Sequence, residues 1–142
     1  MRKNVHFSSN TEEWETPQDL FDKLSMEFGD FGTDVCATKE NAKVLHYFSK
    51  EQDGLKQDWT DLDCWMNPPY GRQIGKWVEK AATGGAKRVV ALLPARTDTR
   101  WFHNWIYGKA EIRFLKGRLK FSNSKNSAPF PSMICIWRSQ RP

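Results

Sequence analysis

Hydrophobic residues recur at helical spacing in three segments of the chain. The first helix is predicted to begin after Thr16, which can cap it, with Pro17 at the first helical position, and to end at Gly29. The second is predicted to end at Gly84-Gly85. The residues that define the three apolar faces are Leu20, Phe21, Leu24 and Phe28, then Ile74, Trp77, Val78 and Ala81, and finally Trp101, Phe102, Trp105 and Ile106.

Short apolar runs between these helices predict strands. The clearest is Arg88–Leu93, a continuous apolar run of the kind found in strands that are buried on both faces. Strands and helices alternate from residue 64 to residue 115, which favours an α/β domain with a mostly parallel sheet and a ligand site beyond the carboxyl ends of its strands. Ser122–Pro131 is predicted to be a loop. The other predicted strands are 33–37, 44–48, 64–66, 111–115, 119–121 and 133–137.

The composition is typical of one globular domain. A length of 142 residues fits a single core, which we place at residues 14–142 behind a polar arm at residues 1–13. The 39% of hydrophobic residues exclude a disordered chain. The longest apolar run, Val89–Leu93, is far shorter than the roughly 20 residues of a membrane span, and no apolar signal region follows Met1, so we expect a soluble cytoplasmic protein.

The cysteines and histidines do not indicate a metal site or a disulfide framework. The cysteines are odd in number and widely spaced, with no CxxC pair and no clustered histidines beside them. We therefore expect no bound metal and no disulfide, and we interpret Cys64, beside Trp65, as part of the core. The three cysteines are Cys36, Cys64 and Cys135.

Charge is distributed unevenly along the chain. The net charge is +5, yet residues 1–70 carry a net −7 and residues 71–142 a net +12. A basic half suits a polyanion such as nucleic acid, whereas an acidic half suits a ligand with cationic or hydroxyl groups. The alternative is that both halves are solvated surfaces of one interleaved domain.

One short motif, Asn67-Pro68-Pro69-Tyr70, carries most of the chemical information. A match of this type occurs by chance about once in 150 chains of this length. The prolines make a stiff corner without N–H donors, so the Asn67 side-chain oxygen and the Pro68 carbonyl could accept both protons of an amino group on a planar ring. Tyr70 would offer a stacking face. The alternative is a Pro-Pro turn at a strand end with Tyr70 in the core.

This motif and its surroundings resemble the amino-group methyltransferases that use S-adenosylmethionine, and among them the short phage and prophage-type DNA N6-adenine methyltransferases. The resemblance covers roughly residues 8–137. It rests on the motif, on Trp14-Glu15-Thr16-Pro17, and on the later blocks Leu92–Thr99 and Gly117–Phe121. It implies a minimal Rossmann-like methyltransferase domain with S-adenosylmethionine as cofactor.

The resemblance also implies roles for individual residues. Asn67, Pro68, Pro69 and Tyr70 would be catalytic. The first cofactor loop lacks the usual Gly-x-Gly, so Asp34, Asp53 and Asp58 remain alternatives for the acid that binds the ribose or the adenine. The implied cofactor residues are Trp14, Thr16, Pro17, Asp34, Ala37, Asn41, Asp53 and Asp58. The implied DNA-binding residues are Arg72, Arg96, Arg100, Arg118, Lys120 and Phe121.

The implied reaction is methylation of an adenine flipped out of double-stranded DNA, in the cytoplasm of a bacterial host, by a protein of phage or prophage origin. The chain has no room for a separate target-recognition domain, so loops, the arm or a second subunit in a homodimer would read the DNA. Three alternatives stay open: methylation of RNA, methylation of a glutamine amide in a protein, and an inactive DNA-binding relative. Asn67→Asp, which keeps an acceptor, is expected to retain some activity.

Overall fold

A computed structural model describes residues 12–139 as a five-stranded sheet with three helices. The helices are α1 (Gln18–Phe28), α2 (Ile74–Thr83) and α3 (Arg100–Trp105). The strands are β1 (Thr33–Asp34), β2 (Asp63–Met66), β3 (Arg88–Pro94), β4 (Glu111–Phe114) and β5 (Ser132–Arg138), and a short 3₁₀ helix spans Gly54–Lys56. None of these helices is long and apolar enough to cross a membrane. Most of the predicted arm, residues 1–11, lies outside the described part of the chain.

The sheet is mixed, with the order β1-β2-β3-β5-β4. β1, β2 and β3 pair in parallel, whereas β5 runs antiparallel to both of its neighbours, β3 and β4. β4 therefore points the same way as β3, and β5 alone is reversed. The predicted α/β class is confirmed, but the expected mostly parallel sheet holds only for the first three strands. The Rossmann-like class stays a prediction.

The helices cover the two faces of the sheet. Phe21 of α1 packs edge-on against Trp65 of β2. Arg88 of β3 points toward the same face of the sheet, because its guanidinium lies over the ring of Phe28 in α1. The Trp137 indole, on the opposite face of β5, donates to the carbonyl of Trp105 in α3. α2 packs beside α3. The strands are thus buried between α1 on one side and α2 with α3 on the other, as the apolar run of β3 indicated.

Two predicted strands are wrong. The segment 44–48 makes only one isolated bridge, between Asp34 and Tyr47. Residues 119–121 form no strand, because the Leu119 carbonyl accepts from Ala128 N–H within the following loop. Residues 46 and 48 do exchange backbone hydrogen bonds with Asp34 and Ala37, but Leu45 is fully exposed and the pairing is too short to count as a strand.

The start of α1 also differs from the expectation. Pro17 occupies the cap position, and no side chain caps the helix. The hydroxyl of Thr16 instead accepts a hydrogen bond from Asn67, 51 residues further along the chain. A residue interpreted as a local helix signal therefore serves the Asn-Pro-Pro-Tyr motif.

Candidate active site

A cavity of about 750 Å³ opens at the carboxyl ends of β1 and β2. This is where open α/β sheets bind ligands, and the volume lies within the usual range for small-molecule sites. Its walls are formed by segments 12–16, 36–38, 48–50, 53–56 and 67–69, together with Asp34, Asn41, Lys43, Trp65, Gln73, Lys76 and Trp77.

The cavity brings together most, though not all, of the predicted cofactor and catalytic residues. Those that line it are Trp14, Thr16, Asp34, Ala37, Asn41, Asp53, Asn67, Pro68 and Pro69. Pro17, Asp58 and Tyr70 are not among its lining residues. Asp58 is exposed in a turn, where hydrogen bonds from the Thr60 side chain and from the Thr60 N–H lower the pKa of its carboxyl.

Residues 12–16 form a strap across the motif. On one side, Tyr70 N–H donates to the carbonyl of Glu12 over 2.6 Å. On the other side, the Asn123 side chain holds the strap through two backbone groups, at 2.9 and 3.0 Å. The strap is thus fixed between the Asn-Pro-Pro-Tyr motif and the turn that follows Phe121.

The side chain of Asn67 is oriented by the strap. Its Nδ2 donates to the carbonyl of Trp14 and, over 2.9 Å, to Oγ1 of Thr16. A carbonyl can only accept, so the nitrogen must face the strap and Oδ1 must face away from it. This Oδ1 is buried and has no hydrogen-bond partner among residues 12–139. A buried acceptor without a partner is costly, and here it belongs to a residue that lines the cavity.

Tyr70 lies in an aromatic cluster behind the motif. Its ring is 4% exposed and meets Phe121 and Phe130 edge-on, with centroids 6.3 and 5.7 Å away. The hydroxyl donates to the Leu92 carbonyl over 2.8 Å, and burial raises its pKa well above the usual value. Phe121, also buried, packs against Trp14 as well. Tyr70 therefore anchors the motif to β3 in this structure, and its role as a stacking face for a base stays a prediction.

Asp34 is a buried acid at the end of β1. Its carboxyl is 2% exposed and accepts from the backbone N–H groups of Lys43 and Cys36, at 3.0 and 3.3 Å. Burial raises its pKa to about 7, although both hydrogen bonds act in the opposite direction. Of the three alternative aspartates, Asp34 is the most deeply placed in the cavity wall.

Side-chain to backbone hydrogen bonds shape two segments that follow Asp34 in the chain. Asn41 Oδ1 accepts from Thr38 N–H over 2.7 Å, while Thr38 Oγ1 accepts from Asn41 N–H over 3.1 Å. Asp53 adopts a positive φ of 58° and accepts from Leu55 N–H, which starts the 3₁₀ helix. These side-chain hydrogen bonds hold the two segments in place at the cavity wall, and Thr38, Asn41 and Asp53 all line the cavity.

The apolar wall of the cavity was not predicted. Phe48, Leu55, Trp65 and Trp77 line it. Trp77 was placed on the apolar face of a helix, and this pattern does not distinguish a core residue from one that also faces a cavity. For Phe48 the sequence carries no signal.

The predicted DNA-binding cations are all on the surface. Arg96 follows β3 at the same edge of the sheet as the cavity, with its guanidinium 5.6 Å from the centre of the Phe130 ring. Exposure leaves these groups available to phosphates. The exposed residues are Arg72, Arg96, Arg100, Arg118 and Lys120.

Comparison with known proteins assigns a family to this architecture. The profile of the family described as DNA N-6-adenine-methyltransferase (Dam) matches residues 4–142. The chain is 30% identical over 152 aligned residues to the DNA N-6-adenine-methyltransferase of Haemophilus phage HP1 (strain HP1c1), covering 100% of this chain and 87% of the phage protein.

A second relative matches a shorter region. The chain is 31% identical over 65 residues to YfdM of Escherichia coli (strain K12), which covers 42% of this chain and 71% of that protein. No solved structure is significantly similar. Because the family profile spans nearly the whole sequence, the chain belongs to the DNA N-6-adenine-methyltransferase (Dam) family.

Proposed function

We propose that this protein transfers the methyl group of S-adenosylmethionine to the N6 amine of an adenine flipped out of double-stranded DNA. Family membership supports DNA adenine methyltransferase activity. The observation that carries the finer proposal is the buried Asn67 Oδ1, which has no donor among residues 12–139 and belongs to a residue that lines the cavity. An exocyclic amine is such a donor.

The adenine amine has two N–H groups, and the motif offers two acceptors for them. Asn67 Oδ1 would accept one proton and the Pro68 carbonyl the other, which directs the nitrogen lone pair out of the ring plane toward the methyl donor. Asn67 is neutral, so it orients the amine rather than acting as a strong base. The nitrogen–methyl bond forms as the methyl–sulfur bond breaks, and the extra amine proton leaves afterwards to solvent. Flipping is required because N6 lies within the base pair.

The cavity residues fit S-adenosylmethionine. The apolar wall formed by Phe48, Leu55 and Trp77 suits the adenine ring, and the Asp34 carboxylate suits the ribose hydroxyls. When bound, the cofactor supplies an electrophilic methyl group on a sulfonium. The chain's own contribution is to hold it beside Asn67 and to exclude water.

A methyl-transfer assay tests the proposal. The purified protein is incubated with methyl-labelled S-adenosylmethionine and either unmethylated DNA, RNA or total protein, and the products are digested and analysed by mass. We expect N6-methyladenine in DNA. Label confined to RNA or to glutamine would contradict the substrate, and cofactor binding without any transfer would favour an inactive DNA-binding relative.

Lowering the pH is expected to weaken cofactor binding through Asp34. As the pH falls from 8 to 6, this carboxyl gains a proton near its raised pKa of about 7 and loses the charge with which it would accept ribose hydroxyls. We expect the dissociation constant of S-adenosylmethionine to rise by up to about tenfold per pH unit below 7. Isothermal calorimetry across this range measures it.

Two substitutions test whether Asp34 is responsible. Asp34→Asn should bind the cofactor weakly with little pH dependence, whereas Asp58→Asn should keep the wild-type profile, since Asp58 lies outside the cavity lining. A wild-type pH profile of cofactor binding in Asp34→Asn would contradict the assignment.

The raised pKa of Asp34 also affects the stability of the ligand-free fold. It stabilises the fold in acid, and this stabilisation is lost as the pH rises from about 3.8 through about 7.

We also propose that exposed cations near the cavity edge bind DNA phosphates. Replacing Arg118 and Lys120 together by alanine should lower the slope of log affinity against log salt by about 1.8, because each phosphate contact contributes about 0.9. The matched control is the double alanine variant of Lys23 and Lys87, two exposed lysines on α1 and before β3. Fluorescence anisotropy with duplex DNA at several salt concentrations measures both slopes. Equal slopes in the two variants would place the DNA surface elsewhere.

The homodimer stays a prediction that this experiment does not address.

A further inference from the structure

The Asn67 amide is held by two groups of the strap, outside the motif. Thr16 is 3% exposed, and its hydroxyl accepts one Asn67 Nδ2 proton over 2.9 Å while the Trp14 carbonyl accepts the other. We infer that Thr16 is a positioning residue for methyl transfer, holding the Asn67 amide so that its oxygen faces the target amine. This inference rests on the proposed function.

Packing alone cannot choose this orientation. The oxygen and the nitrogen of an amide have nearly the same shape, so a rotation of the Asn67 side chain by half a turn would fit the same space. In the rotated form, Nδ2 would meet the N–H donors of the substrate, and Oδ1 would meet the carbonyl of Trp14. The Trp14 carbonyl can only accept, so it favours the orientation with Nδ2 on the strap, and the Thr16 hydroxyl then holds the second Nδ2 proton and fixes the plane of the amide.

The strap is built to present the Thr16 hydroxyl to Asn67. Thr16 does not cap α1, so its side chain is not engaged by the helix that follows. The carbonyl of Thr16 accepts from the Ser122 hydroxyl over 3.2 Å, and Asn123 holds the strap from the same turn. The backbone at Thr16 is thus fixed independently of Asn67.

This geometry changes the expectation for Asn67→Asp. A carboxylate has no donor, so one of its oxygens would lie against the carbonyl of Trp14, and the Thr16 hydroxyl would have to reverse its role and donate. The other oxygen would still be available to the substrate amine. We therefore expect Asn67→Asp to be at least tenfold slower than the wild type at neutral pH, although the acceptor at the reacting position is kept.

The test compares Thr16→Val, which has nearly the same shape without the hydroxyl, with Thr16→Ser, which keeps it. Labelled methyl transfer to unmethylated plasmid DNA gives kcat and the KM values, and calorimetry gives the cofactor dissociation constant. Because the Thr16 hydroxyl is engaged by Asn67, we expect Thr16→Val to lower kcat by roughly tenfold or more with cofactor affinity within about twofold of the wild type, in contrast to the cofactor role that the resemblance implies for Thr16. Thr16→Ser should restore most of kcat.

Thr33→Val is the matched control. Thr33 is also a buried threonine whose hydroxyl makes one side-chain contact, to Nδ1 of His46 at 2.9 Å, and it does not line the cavity. It should lose a comparable amount of thermal stability without losing kcat.

The outcomes separate the failure of this inference from that of the proposed function. Wild-type kcat in Thr16→Val, or a decrease equal to that in Thr33→Val, would overturn the positioning role while N6-methyladenine formation by the wild type stands. A raised cofactor dissociation constant with unchanged kcat would show that Thr16 contacts the cofactor instead of positioning Asn67. Absence of N6-methyladenine from the wild-type reaction would overturn both.

Discussion

Replacing Asn67 with alanine is expected to lower kcat for adenine methylation by roughly 10²–10³, the usual cost of removing a preorganised group that stabilises charge in a transition state. The side chain donates two hydrogen bonds to the strap and presents a buried oxygen without a partner among residues 12–139. Alanine removes that oxygen, so one N–H of the flipped base is left unpaired in a desolvated site. Positive charge that develops on the amine makes the loss greater in the transition state than in binding.

Cofactor binding should survive this substitution. The cofactor contacts that we propose lie on Asp34 and the apolar wall, so the dissociation constant of S-adenosylmethionine in Asn67→Ala should stay within about threefold of the wild type. Single-turnover transfer assays and calorimetry on the same preparation measure the two effects. Asn104→Ala, at an exposed position of α3, is the control and should retain full activity. Full activity in Asn67→Ala would refute the mechanism, and loss of cofactor binding would show that Asn67 serves the other ligand.

Regular elements of this fold are readable from the sequence because their signals are local. The apolar run that begins at Arg88 becomes β3, and the helical spacing from Ile74 to Ala81 becomes α2 with the same start. In both, neighbouring residues share one environment, so periodicity reports it directly. The direction of β5 is not local in this sense. β5 lies between β3 and β4 in the sheet and runs antiparallel to both, and the apolar run Met133–Trp137 does not indicate in which direction the strand will pair.

The candidate site was predictable to the extent that its residues are chemically distinctive. The Asn-Pro-Pro-Tyr motif gave the position of the acceptor, and the acidic residues at strand ends gave a short list for the cofactor. What decides among them is burial and long-range contact: Asp34 is enclosed in the cavity wall, whereas Asp58 caps an exposed turn. The contact between Thr16 and Asn67 joins residues 51 positions apart, and nothing in either segment alone indicates it.

Gly54 is the position where a single added methyl group should do most damage to the fold. A β-carbon built there would lie 2.1 Å from the carbonyl oxygen of Val35 and 2.9 Å from the Trp77 ring. Val35 cannot retreat easily, because its N–H donates to the carbonyl of Trp65 in β2. Gly54 itself is held by the Trp59 indole, which donates to its carbonyl over 2.9 Å. The clash must therefore be relieved by moving the 3₁₀ helix.

We expect Gly54→Ala to reduce the free energy of unfolding by about 3 kcal/mol, at the upper end of overpacking costs, and to weaken S-adenosylmethionine binding, since Gly54 and Trp77 both line the cavity. Gly75→Ala is the matched control: Gly75 lies inside α2, and its added β-carbon would meet Trp101 at an ordinary 3.7 Å. The control should gain about 0.5–1 kcal/mol from helix propensity. Urea titrations of both variants, with and without the cofactor, measure these shifts. A Gly54→Ala protein as stable as the wild type would show that the segment after Asp53 can move away from β1. It would contradict our inference that this wall of the cavity is rigid.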